Sequence, residues 1–110
     1  MERRRDYRVR ARIHVLSPKK LSGGTGKARI TNIGPKGAFI QSDKILPVGT
    51  RLTLIFRLPR GLKRYRIGGV IRWTRGGGSP GLGVEFVGIG NRASEEIADW
   101  VLKRRSRKIR

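Results

Sequence analysis

The chain has 110 residues, and 27 Lys plus Arg against 7 Asp plus Glu give a formal net charge of +20. That length suits one domain, while the absence of cysteine excludes disulfides, thiolate catalysis and Cys-based zinc sites. A single His14 excludes a His-rich metal site, and no apolar run approaches the roughly 20 residues of a membrane span, so a soluble cytoplasmic protein is expected.

Residues 8–16 alternate: Val9, Ala11, Ile13 and Val15 share one face, and Arg8, Arg10, Arg12 and His14 share the other. Period 2 predicts a half-buried strand with a cationic outer face. Residues 17–20 and 22–26 have loop composition. A second strand is predicted over 27–33 and a third over 38–41. Between them lie Gly34, Pro35, Lys36 and Gly37, where Pro pre-sets its own φ and Gly permits a positive one.

Residues 50–58 put Leu52, Leu54, Phe56 and Leu58 on one face, a fourth strand that Pro59, Arg60 and Gly61 turn. The fifth, over 63–74, slips phase at Gly68 and Gly69, as a bulge or sharp bend requires. In the sixth, over 82–87, Leu82, Val84 and Phe86 alternate. The period then changes. From Asn91 to about Arg105, Ile97, Trp100, Val101 and Arg104 fall at helical spacing. Asn91 or Ser94 is the expected cap, Glu95, Glu96 and Asp99 suit the early turns, and Lys103, Arg104 and Arg105 suit the last. Residues 106–110 read as a basic tail. Six strands and one helix predict an all-β fold: a six-stranded antiparallel β-barrel covered at its mouth or edge by a C-terminal α-helix.

Three nucleotide-binding patterns fail on inspection. Gly26 and Lys27 hint at a phosphate loop, but Leu21 and Ala28 stand where Gly and a hydroxyl are needed. Gly88, Gly90 and Ala93 fit a GxGxxA turn in a chain too short for a dinucleotide fold. The GxxG of Gly34 and Gly37 joins strands, whereas the KH clamp joins helices. No nucleophile has a base beside it, so the chain is not expected to be an enzyme. What remains is cationic charge, 19 of the cations being Arg, crowded at Arg3, Arg4, Arg5, Arg8, Arg10 and Arg12 and again beyond Lys103. Arg matches phosphate with a planar fork, which Lys cannot do.

Arg4, Arg5, Asp6, Tyr7 and Arg8 resemble the RxxxR element that precedes the first strand of PilZ domains, and residues 32–37 resemble their [D/N]xSxxG element. RxxxR spacing alone says little in this chain, which has three such pairs, Arg4/Arg8, Arg8/Arg12 and Arg60/Arg64. The weight lies in the order of the two elements, the late strands and the closing helix, over roughly residues 4–105. The resemblance implies a six-stranded antiparallel barrel with a terminal helix and cyclic di-GMP as ligand, with no cofactor. It implies an arm, residues 1–8, whose Arg4 and Arg8 clamp the ligand with Arg5 as auxiliary. Asn32 would bond a guanine edge, and Gly37 would let the backbone approach. The domain itself would cover 9–105, and ordering of the arm would signal to a downstream protein.

In one place the chain departs from the pattern: Gly34 occupies the Ser position. Losing one hydroxyl bond costs about 0.5–1.5 kcal/mol. Two alternatives therefore stand beside the nucleotide receptor. One is a basic barrel that binds nucleic acid, which the charge favours, although Tyr7, Tyr65 and the three Phe form no evident stacking ladder. The other is a degenerate PilZ module that binds only protein.

Overall fold

The computed structural model describes residues 8–17 and 28–109. Its strands are β1 (Val9–Ser17), β2 (Arg29–Gly34), β3 (Gly37–Gln41), β4 (Arg51–Arg57), β5 (Arg64–Arg75) and β6 (Gly81–Val87), followed by helix α1 (Asn91–Ile109). Each strand pairs antiparallel with its neighbours, and the order β1-β2-β3-β6-β5-β4 closes on itself. Closure leaves no free sheet edge, which is how a small β domain avoids edge-to-edge association. The expected barrel with a terminal helix is the fold.

Alternation decides what the barrel encloses. Leu52, Leu54 and Phe56 of β4, Ile67 and Ile71 of β5, and Leu82, Val84 and Phe86 of β6 are buried in one core, while the intervening Arg51, Arg57, Arg66 and Glu85 are exposed. Helix α1 adds Ile97 and Val101 to this core, both fully buried. Burying an aliphatic side chain of this size contributes about 1.5–3 kcal/mol. Among the described residues, no helix is long and apolar enough to cross a membrane.

Several local expectations are corrected. Neither Gly34 nor Gly37 has a positive φ. They pair with each other across the hairpin, and Pro35 and Lys36 alone make the turn. Pro at the first central position favours a turn that needs no left-handed residue. Gly68 and Gly69 keep unbroken register with Thr53 and Leu52. The irregularity in β5 falls instead between Ile71 and Trp73, against β6. Gly69 simply leaves room for the Val84 side chain, so the phase slip in the sequence comes from a small inward residue rather than an inserted one.

In α1 the first helical bond runs from the Ser94 amide to the Gly90 carbonyl, 3.0 Å. Gly90 therefore stands at the cap, and neither Asn91 nor Ser94 does. The first turn contains no acid. Glu96 binds the barrel instead, accepting from Lys63 Nζ and Tyr65 OH, both at 2.8 Å. The helix also runs on through Ile109, so Lys103, Arg104 and Arg105 lie within it and not in its last turn.

Candidate functional site

A cleft of about 940 Å³ opens on the outer wall, lined by side chains of β1, β2, β3 and β5. Three irregularities of register shape it. Residues 11 and 12 of β1 stand against one residue of β2, Thr31 is an extra residue of β2 against β3, and Arg72 is extra in β5 against β6. Each inserted residue bends its strand and re-aims the neighbouring side chains. In β2 the effect is direct. Ile30 and Ile33 are both fully buried though three apart, and the extra Thr31 lets Asn32 face outward between them.

Arginines make the walls: Arg8, Arg10, Arg12, Arg29 and Arg75 all line the cleft. No Asp or Glu among the described residues lines it. The Arg8 guanidinium donates from Nη1 to Asn32 Oδ1 at 3.3 Å, a long hydrogen bond by protein standards. A Cβ on Gly37 would lie 3.2 Å from Arg8 Nη2 and would collide with the Val84 carbonyl. Glycine at this position thus lets β3 and β6 approach and leaves space for Arg8.

The floor is aromatic. Phe39 and Trp73 stack with ring centroids 5.2 Å apart and planes at 24°, and the Arg75 guanidinium lies 4.4 Å from the centre of Phe39. These rings belong to β3 and β5, and β6 runs between those strands. They meet because β6 presents glycines there. The Phe39 ring occupies the space a side chain on Gly81 would need, and the Trp73 indole does the same at Gly83. Phe39 is buried, whereas Trp73 remains 47% exposed, available to a planar ligand.

The structure thus brings Arg8, Asn32 and Gly37 together, as the sequence implied. Gly34 is buried beside the turn and does not line the cleft. Arg4 and Arg5 lie outside the described residues. Sequence reasoning missed Arg29, Phe39, Gln41, Trp73 and Arg75, and it gave Arg10 and Arg12 only a place on a cationic face. One signal was legible: alternate glycines at 81 and 83 in an otherwise regular strand mark a surface on which something else must pack.

A closed antiparallel barrel carrying an arginine-walled, aromatic-floored cleft defines a module built to hold a planar anion. The chain belongs to the PilZ domain family, whose family model matches residues 2–103. Solved structures agree in fold. The Bacillus subtilis inhibitor of motility, MotI/DgrA, superposes with a TM-score of 0.79 at 19% identity, covering 100% of this chain and 55% of its own. Escherichia coli YcgR in complex with c-di-GMP gives a TM-score of 0.71 at 14% identity, covering 98% of this chain and 49% of its own. The PilZ domain of YcgR with c-di-GMP gives 0.63 at 13% identity, with 97% and 96% covered. This chain therefore spans about half the length of the first two proteins. No curated protein sequence matches it.

Proposed function

We propose that this domain is a cyclic di-GMP receptor that signals to a partner protein by ordering its N-terminal arm, residues 1–8. The observation that carries the reading is the meeting of Arg8, Asn32 and Gly37 at the edge of the arginine-walled cleft. Both YcgR structures contain c-di-GMP, which supports the same ligand here.

The chemistry fits each part of the ligand. Its two phosphates need cationic forks, and guanidinium groups bind phosphate bidentately in shorter, stronger bonds than neutral donors. Its guanines need donors toward O6 and N7, which Arg also supplies, and a face to stack on, which Trp73 and the guanidinium planes offer. Asn32, Thr31 and Gln41 are the neutral lining groups able to read a base edge. The volume lies at the upper end of the roughly 300–1,000 Å³ usual for small-ligand sites. In the arm, Arg4 and Arg5 would join Arg8 on the ligand. A segment that becomes ordered on binding changes the surface a partner meets.

Gly34 in place of Ser removes one hydroxyl, a loss of about 0.5–1.5 kcal/mol and at most roughly tenfold in affinity. Calorimetric titration of the full chain with cyclic di-GMP tests the reading. Heat of binding is expected, and Arg8→Ala should lower affinity roughly ten- to a hundredfold, since bonds to charged groups are worth about 1.5–3 kcal/mol. Absence of heat would leave the protein-only reading that Gly34 favours, and equal affinity in Arg8→Ala would remove the clamp.

A further inference from the structure

A second cationic region lies away from the cleft, at the seam where the barrel closes. Strands β1 and β4 pair only at Val15–Phe56 and Ser17–Ile55. Toward the β4–β5 hairpin they separate around a hollow of about 350 Å³, with Ile13, Leu16, Leu58 and Pro59 as its apolar lining and Arg12, Arg57 and Arg64 among its polar groups. Arg57 stands directly opposite Arg64 in the hairpin register. Like charges so placed repel each other, and no carboxylate among the described residues pairs with either of them or with Arg60. The hairpin turns through Leu58–Gly61, closed by a 2.9 Å bond from the Gly61 amide to the Leu58 carbonyl. Just beyond it Leu62 is 91% exposed, and Leu16 at the hollow is 42% exposed.

An uncovered leucine beside repelling, unpaired arginines has one partner that satisfies both. A nucleic acid would neutralise the arginines, but a phosphate chain gives Leu62 nothing to bury in. An apolar peptide would cover Leu62 and leave the arginines desolvated. The geometry points to an anionic phospholipid surface, with Arg57, Arg60 and Arg64 on headgroup phosphates and Leu62 entering the acyl boundary. Cations near such a surface each strengthen binding about fivefold, and amphipathic elements sit with apolar groups a few ångströms deep in this way. None of these three arginines lines the nucleotide cleft, so the inference does not depend on the proposed ligand.

Co-sedimentation of the full chain with vesicles tests it, using phosphatidylcholine alone or with about one third phosphatidylglycerol, in roughly 0.15 M salt to screen distant charges. Binding is expected to the anionic vesicles only. Leu62→Ser leaves the charge unchanged and should weaken binding at least roughly tenfold, because it removes a buried leucine. Arg57→Gln and Arg64→Gln should each weaken it about fivefold. Thermal melts and cyclic di-GMP titration of Leu62→Ser check that the fold and the cleft are intact. Failure of the chain to bind anionic vesicles overturns the proposal. So does equal binding by Leu62→Ser, which would mean adsorption by net charge alone. A third overturning result is binding of a DNA duplex, but not of vesicles, that both arginine substitutions weaken.

Discussion

Arg8 and Asn32 are 24 positions apart in the chain, yet Arg8 Nη1 lies 3.3 Å from Asn32 Oδ1. The contact exists because Arg8 leads into β1, whose Arg10 pairs with Asn32 of β2. It also gives the amide a defined orientation before any ligand arrives. In calorimetric titrations with cyclic di-GMP, Arg8→Ala, Asn32→Ala and the double variant should therefore be non-additive. An interaction energy of about 0.5–1.5 kcal/mol is expected for a direct pair. Melting temperatures should stay nearly constant, since exposed substitutions usually change stability by no more than about 0.5 kcal/mol.

Trp73 offers a stacking face at the cleft floor. Replacing it by Ala should cost about 1–3 kcal/mol of cyclic di-GMP affinity, the usual worth of base–aromatic stacking. Gly83→Ala should act on the same ring indirectly, because its methyl would take the space of the indole. The signature is a shifted tryptophan emission together with weaker binding and a cooperative melt.

Tyr65 and Glu96 join β5 to α1, and their pH dependences have opposite signs. Burial first, then the hydrogen bond to Glu96 and its charge, push the Tyr65 hydroxyl from 10.0 up to about 12. A raised folded pKa means the stabilisation is complete below pH 10.0 and is lost as pH climbs to about 12. The Glu96 carboxyl is held below 4.5, chiefly by the bond from Lys63 and next by that from Tyr65. Its contribution is present above pH 4.5 and fades as pH falls below that value. Chemical denaturation across pH should show Tyr65→Phe flattening the alkaline limb and Glu96→Gln flattening the acid one.

Arg60 has φ 68° in the β4–β5 turn, a conformation that costs a residue with a Cβ about 1–2 kcal/mol. Glycine removes that strain and adds unfolded-state entropy worth about 0.5–1 kcal/mol. Arg60→Gly should therefore raise stability by about 0.5–1 kcal/mol, a gain of a few degrees in melting temperature for a domain of this size. A lower melting temperature would show that the Arg60 side chain makes a compensating contact.

Much of the barrel could be read from residue order. In β4 and β6 the hydrophobic residues alternate without interruption, and local period is enough to assign strand and face. The hinge of the site was also legible, since RxxxR before a first strand and a glycine-bearing hairpin after the second place Arg8 near Asn32. Where alternation breaks, the reading failed. The slip at Gly68 and Gly69 looked like an insertion and is an inward glycine, whereas the insertions that shape the cleft sit at residues 11 and 12, Thr31 and Arg72. A bulge is defined by what lies opposite on the partner strand, so one strand's pattern cannot distinguish it from a small residue.

The order of residues was sufficient for the strand count, the terminal helix, the cationic character and the family, because each depends on neighbours within a few positions or on composition. The cleft depended on barrel closure. Strand order β3-β6-β5 sets Phe39 and Trp73 on either side of a strand whose glycines leave the space between them empty. Arg75 then reaches the same rings from a residue 36 positions further on than Phe39, by the difference 75 − 39 in the numbering. Such a meeting is a property of register across three strands, and no local period encodes it.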